Sequence, residues 1–318
     1  MSGGEEVILH VGYPKSASTY LQQCIFPQLG DQSNLAPESR ETKMLPFLAD
    51  MDPEVLRERA GACRVPGPEP GRRHIVSCED WVELWFRGIE DLLLRAAELN
   101  GLDPTPYEPR NARIVENLAR TWPGAKVLIV VREPLAWAIS KYRMHYRHHQ
   151  TSAPIEELLV PELEGYDGTV ARFREAFGAD RVRVVPFEWI LEDPQRFAEA
   201  AAKLIAPGAT VRAPHTPSNQ GALYRREVAV MRDKAHLKQT LRPTGARATL
   251  AEKARYEAAR FWVKTVHRAR YALQYGNRRD RVVVPESSRK ELRPVLEACS
   301  RRLSEMTDID FAALGYGG

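Results

Sequence analysis

Gly12-Tyr-Pro-Lys15-Ser16-Ala17-Ser18-Thr19-Tyr20 is the stretch on which the reading of this chain turns. It follows a short apolar run, Val7-Ile-Leu-His-Val11, which reads as a buried strand, and it leads into a helical stretch over roughly residues 17–27. A strand that turns straight into a helix sets unpaired N–H groups and a partial positive charge at the turn, the ordinary setting for a phosphate or sulfate. Lys15 adds a mobile cation, and Ser16, Ser18 and Thr19 add hydroxyl donors. A surface lysine on an ordinary strand-turn-helix is the plain alternative, but it leaves the crowding of three hydroxyls beside that lysine to coincidence. The loop is not of the Walker type: only two residues separate Gly12 from Lys15, and no second glycine precedes the lysine.

Working outward, His74-Ile-Val-Ser77 reads as a second strand and Lys126-Val-Leu-Ile-Val-Val131 as the strongest strand in the chain. The unbroken apolar character of the latter suits a parallel strand covered on both faces. Arg181-Val-Arg-Val-Val185 is a further strand. Helical periodicity falls over about 84–99, 108–121, 135–148 and 195–205, and a Pro/Gly-rich loop over 65–71. Strands alternating with helices predict an α/β fold with a central parallel sheet flanked by helices. From about residue 220 the pattern becomes helical, over 223–237, 250–275 and 288–306. The expectation is one domain over 1–318, with an α/β core at 1–215 and a mainly helical C-terminal part at 216–318.

The loop, written strand-G-x-P-K-[ST]-x-[ST]-[ST], resembles the 5′-phosphosulfate loop of sulfotransferases that use 3′-phosphoadenosine 5′-phosphosulfate (PAPS). The resemblance implies a P-loop-like fold in which Lys15, Ser16, Ala17, Ser18, Thr19 and Tyr20 bind the donor. It also demands a second anion site for the 3′-phosphate, at the end of another central strand. The strand 126–131 runs into Arg132-Glu-Pro, and Ser140 and Tyr142 follow on the next helix. This resembles the family's 3′-phosphate motif, with Arg132 and Ser140 as its ligands; an arginine fork grips a phosphate at two points. Val184-Val-Pro-Phe-Glu188 through Pro194, and Asp308-Ile-Asp-Phe-Ala-Ala-Leu-Gly-Tyr316, are similar to two further family stretches. The likeness is closest to bacterial, carbohydrate-type sulfotransferases and covers about residues 5–205.

The family places its catalytic base after the strand that precedes Ser77-Cys78-Glu79-Asp80, so the resemblance implies Glu79, with Asp80 its nearest competitor; Lys15 is the other catalytic candidate. The bland reading of Glu79 is a solvated loop carboxylate. Tyr13, His145 and His149 are candidates for the acceptor site, against the plain reading of the histidines as a solvated helix end. His10 reads as a core residue. Between 242 and 279, ten Lys/Arg face only Glu252 and Glu257, with aromatic residues interleaved. That run suits an acidic glycan, a membrane surface, or simply an amphipathic helix with its basic side in water. Ser218-Asn-Gln-Gly221 with Arg225 and Arg226 is a possible late nucleotide loop.

Composition narrows the setting. The 318 residues are 43% hydrophobic and 28% charged, with a net charge of +4, ordinary for a globular chain and far from a nucleic-acid-coating balance. Cys24, Cys63, Cys78 and Cys299 are scattered, with neither CxxC nor metal spacing, which argues against a disulfide framework and for a reducing compartment. No apolar stretch reaches membrane-spanning length, and the first residues lack a signal-peptide pattern, so a cytoplasmic protein is expected. The expected chemistry is sulfuryl transfer from PAPS, leaving PAP, to a hydroxyl or amine of a small-molecule or glycan acceptor, with no metal and no nucleic-acid partner. Two other readings compete. A P-loop kinase or NTPase would need a Walker glycine and a magnesium carboxylate where the chain has Arg132. A non-catalytic glycan- or anion-binding protein on the same fold would have no use for Lys15, Arg132, Ser140 and Glu79 together.

Overall fold

The computed structural model describes residues 6–34, 73–78, 81–82, 107–147, 163, 165–214, 237, 249–267, 269–270, 273 and 284–317. Five strands form one sheet: β1 (Glu6–His10), β2 (Asp31–Asn34), β3 (Arg73–Ser77), β4 (Lys126–Val131) and β5 (Val182–Pro186). They lie in the order β2-β3-β1-β4-β5, and every pairing is parallel. β1 is central, so the loop that follows it leaves the sheet at its middle. In β4, Val127, Leu128, Ile129, Val130 and Val131 are all fully buried, as the continuous apolar run requires of a strand covered on both sides. At the start of the sheet, Glu6 pairs with Lys126 and, at 3.0 Å, with Arg73. These charges close the edge opposite the loop.

The helices are α1 (Ser18–Tyr20), α2 (Tyr107–Thr121), α3 (Pro134–Arg147), α4 (Tyr166–Phe177), α5 (Glu188–Glu192), α6 (Pro194–Ile205), α7 (Leu250–Trp262) and α8 (Glu286–Met306). The helix expected at 17–27 is not uniform: α1 is a single turn, continued by a π turn at Leu21–Ile25 and a 3₁₀ turn at Phe26–Gln28. α6 starts where its sequence says it should. Asp193 accepts from the N–H groups of Gln195 and Arg196 at 3.0 and 3.2 Å, and Pro194 takes the first helical position. Its buried face, Phe197, Ala198, Ala201, Ala202 and Ile205, joins the core with Ile8, Leu21, Ile25 and Leu128.

Three elements add to the expected pattern, among them the five-residue α5. β2, Asp-Gln-Ser-Asn, carries no apolar residue and among the described strands pairs only with β3, so it has no periodicity to betray it. α4 runs between left-handed Gly165 (φ +82°) and Gly178 (φ +90°) and buries Val170, Phe173 and Phe177. The helices expected at 84–99 and 223–237, the loop at 65–71 and the stretch at 218–226 lie outside the described residues, apart from helical Leu237.

The chain divides into two compact units. The first holds Met1–Trp137, Leu163–Pro217 and Val295–Gly318, and so contains the whole sheet and the last turns of the chain. The second holds Ala138–Glu162 and Ser218–Pro294. In the second, α7 begins with a capping box: Thr249 Oγ1 accepts from Glu252 N–H at 3.2 Å, while the Glu252 carboxylate accepts from Thr249 N–H at 2.8 Å. No helix among the described residues is long and apolar enough to cross a membrane.

Candidate active site

After β1 the chain keeps step with β4 for three more residues: Val11 N–H donates to Leu128 and Tyr13 N–H to Val130, each at 3.0 Å. Gly12, between them, has to be a glycine. A Cβ there would stand 2.9 Å from His10 Nε2 and 3.3 Å from Val130 Cβ, so the loop leaves the sheet closer than any side chain permits. Ser16 N–H then bonds back to Tyr13 at 3.1 Å, closing a tight turn.

That turn is strained. Lys15 (φ +68°) and Ala17 (φ +67°) are the non-glycine residues with left-handed backbone among those described. Each such residue costs on the order of 1–2 kcal/mol, and strain of this kind gathers at ligand clamps. A backbone that alternates in and out of the left-handed region forms a concave nest of N–H groups that binds anions. Around it, Lys15 and Thr19 are exposed, Ala17 is half-buried, and Ser16 and Ser18 are buried. The Ser16 hydroxyl is fully buried and has no hydrogen-bond partner among the described residues. Tyr20 is turned to the core, stacked obliquely near Phe197, with its hydroxyl donating to the Pro214 carbonyl at 3.1 Å.

Three aromatic side chains hold the turn from behind. Tyr13 stacks on Tyr166 with ring centroids 4.2 Å apart and donates its hydroxyl to the Tyr166 carbonyl. Trp137, on α3, packs edge-on to Tyr13 at 5.4 Å and donates its indole N–H to the Pro14 carbonyl at 3.0 Å. Tyr13, an acceptor candidate by sequence, is thus almost wholly buried in this stack. Its place in the turn is the part of its role that the geometry shows.

Arg132 meets the same turn. Its guanidinium donates to the Lys15 carbonyl at 3.0 Å and lies 4.5 Å over the Phe187 ring. Its backbone is gripped by Tyr166, whose hydroxyl accepts from Arg132 N–H at 3.0 Å and donates to Arg132 C=O at 2.8 Å. The next peptide N–H, that of Glu133, donates to Glu188 Oε1 at 2.9 Å. Glu188 Oε2 accepts the Tyr316 hydroxyl at 2.8 Å. The Glu133 carboxylate caps α3, accepting from Leu135 N–H at 2.9 Å and Ala136 N–H at 2.5 Å.

The electrostatics follow from burial. Desolvation pulls the Arg132 guanidinium below its ordinary value, and Glu188 opposes it. Burial pushes the Glu133 and Glu188 carboxyls up, against the N–H donors each receives. Burial likewise raises the Tyr166 and Tyr316 phenols, so both remain neutral donors. His10, fully buried and bonded through Nδ1 to Ser77 Oγ at 2.7 Å, is driven down to about 3 and stays neutral. It is a core residue, as its sequence position suggested, although its Nε2 has no partner.

The fold therefore brings Lys15, Ser16, Ala17, Ser18, Thr19 and Arg132 to the carboxyl edge of neighbouring strands β1 and β4. Ser140 lies half-buried on the part of α3 that belongs to the second unit. His145 falls on the same helix, and His149 lies outside the described residues, as do Glu79 and Asp80. Their neighbour Cys78 continues β3 beside β1, its N–H bonded to the His10 carbonyl at 2.9 Å. Among the described residues no group of His, Cys, Asp and Glu could hold a metal ion. Nothing in the sequence pattern marks the parts played by Tyr166, Trp137 and Tyr316; Glu188 and Tyr316 fall in family-like stretches, and nothing in their spacing says that they touch.

The sulfotransferase family profile matches residues 8–205, more than half of the chain. A search of curated proteins finds no match. Among solved structures, a sulfotransferase from Alicyclobacillus acidocaldarius is 16% identical, with 76% of this chain and 98% of that one covered and a TM-score of 0.44. A mouse sulfotransferase complexed with PAP is 13% identical, with 93% and 85% covered and a TM-score of 0.41.

Proposed function

Because the chain belongs to the sulfotransferase family, we propose that it transfers a sulfuryl group from PAPS to a hydroxyl or amine of an acceptor, with a carbohydrate or saccharide-bearing metabolite as the first choice. The observation that carries this reading is the bond from the Arg132 guanidinium to the Lys15 carbonyl, which joins a strained anion turn to a second cation one strand away. A donor with phosphate at both its 5′ and 3′ positions needs two such places. A nucleoside triphosphate with magnesium needs a carboxylate where Arg132 stands.

The residues present fit that donor. The buried Ser16 hydroxyl has a hydrogen to give and no acceptor among the described residues, and the left-handed turn presents backbone N–H groups beside it. PAPS, when bound, supplies a sulfuryl group already activated on a phosphate. In this reading the N–H groups of 17–20 and the hydroxyls of Ser16, Ser18 and Thr19 hold the 5′ end. Lys15 stabilises the negative charge that develops as the bond to sulfur breaks. Arg132, with Ser140 added by the sequence pattern, holds the 3′-phosphate. Glu79 accepts the proton of the attacking hydroxyl or amine. The basic segment 242–279 suits an acidic glycan acceptor, and Tyr13, His145 and His149 remain the acceptor-side candidates.

Calorimetry with adenosine 3′,5′-bisphosphate and with ATP, followed by an acceptor screen with labelled PAPS, tests the reading. A clear preference for the bisphosphate and label in a saccharide are expected. Tighter binding of ATP with magnesium, or no transfer to any acceptor, would overturn it.

A further inference from the structure

We propose that the C-terminal turn is a positioning element of the 3′-phosphate site: Tyr316 holds Glu188 on the backbone and off the Arg132 guanidinium, leaving that guanidinium open to an anion. The inference rests on the nucleotide reading above.

The Arg132–Glu133 peptide is held at both of its polar groups. Its carbonyl accepts from Tyr166 and its N–H donates to Glu188. The residue before Glu188 meets the same arginine, since the guanidinium lies 4.5 Å over the Phe187 ring. Both oxygens of Glu188 are engaged, one by the Glu133 N–H and the other by the Tyr316 hydroxyl. Among the described residues no carboxylate forms an ion pair with Arg132, although the charges of Glu188 and Glu133 both act to raise its pKa. A buried carboxylate beside a guanidinium pairs with it unless other donors hold it elsewhere. Tyr316 is the donor in the right place. Were Glu188 released, it would occupy the fork that a phosphate needs.

Tyr316 is itself built in. The turn after α8 folds tightly: Tyr316 N–H bonds to the Phe311 carbonyl at 3.1 Å, and Gly315 takes a left-handed φ of +85°. The Tyr316 and Phe311 rings meet at 4.7 Å and both are fully buried. Phe311 N–H is fixed to Ser304 Oγ at 3.1 Å. Below, Arg302 on α8 makes a two-pronged bond to buried Asp167 on α4, at 2.5 and 2.9 Å. Asp167 adjoins Tyr166, so α8 is tied to the segment whose tyrosine holds the Arg132 backbone.

The experiment is Tyr316→Phe, which removes one oxygen from a packed ring. Binding of adenosine 3′,5′-bisphosphate and of adenosine 5′-monophosphate is measured by calorimetry, beside thermal unfolding. The bisphosphate should weaken about tenfold, the size of one charge-assisted contact, and the monophosphate should change less than about twofold. Glu188→Gln added to Tyr316→Phe keeps an oxygen for the Glu133 N–H but removes the competing charge, and should restore the preference. A merely structural loss would weaken both nucleotides alike and would not be rescued; either result overturns the proposal. Should Tyr316→Phe not fold, Glu188→Gln alone decides: bisphosphate affinity held or raised supports a competing charge, and lowered affinity overturns it. If the wild-type protein does not prefer the bisphosphate, the donor reading itself fails. If it does and Tyr316→Phe keeps that preference, only this inference fails.

Discussion

Replacing Tyr166 by Phe removes one oxygen that serves two backbone groups, the N–H of Arg132 at 3.0 Å and its C=O at 2.8 Å. The ring should stay where it is, stacked on Tyr13 at 4.2 Å and packed on Trp137 at 5.0 Å. The Tyr13 hydroxyl, which bonds to the Tyr166 backbone carbonyl, keeps its partner. What changes is that two polar groups behind a half-buried arginine lose their partner. A buried group left unpaired costs about 1–3 kcal/mol. With water able to reach one of the two, the sum should be about 2 kcal/mol. At an m-value of about 3 kcal/mol/M that moves the urea midpoint down by roughly 0.7 M with m unchanged. The displaced arginine should also lower bisphosphate affinity by roughly tenfold. Equilibrium urea unfolding and nucleotide calorimetry read the two effects. A midpoint within about 0.2 M of wild type, with normal nucleotide affinity, would refute the claim that Tyr166 holds Arg132 in place.

Lys15→Ala should lower kcat by roughly 10²–10³ while leaving the fold intact, as loss of a donor to developing charge does; near-normal turnover with labelled PAPS would remove Lys15 from the chemistry. Arg132→Ala should cost the bisphosphate about 1.5–3 kcal/mol of binding and the monophosphate far less, by calorimetry. Glu79→Gln should lower kcat by roughly 10²–10⁴ and remove the acidic limb of the pH–rate profile with nucleotide affinity nearly unchanged, and Asp80→Asn should do much less; a reversed order would move the base to Asp80. His10 is neutral in the folded protein down to about pH 3, whereas in the unfolded chain it takes up a proton near 6.5. The unfolded state therefore binds more protons between those values, and stability falls as pH drops from 6.5 towards 3. His10→Asn removes this titration and should flatten the unfolding free energy from urea melts against pH by up to about 1.4 kcal/mol per pH unit, even if the variant is weaker throughout.

Features whose cause is local are written in the residues beside them. An apolar run as continuous as 126–131 can only be covered on both faces, and it is; the Pro194 start of α6, with Asp193 before it, follows from side chains one to three residues away. The tight turn after β1 was legible for the same reason, since Gly12, Lys15 and the hydroxyls sit within eight residues of one another. The left-handed backbone at Lys15 and Ala17 was not, because neither is a glycine and the strain is imposed by contacts to Tyr13, Pro14 and Lys15 from elsewhere. β2 stayed hidden because an all-polar edge strand is defined by its partner, β3, and not by its own residues. Only the tertiary structure could decide that Arg132 bonds to a carbonyl 117 residues before it, that Tyr166 spans its backbone, and that Tyr316 reaches Glu188 across 128 residues. Periodicity reports which face of an element is buried. It carries no information about which distant hydroxyl will meet which carboxylate, since that depends on how the parallel strands order themselves and where the last turn of the chain comes to rest.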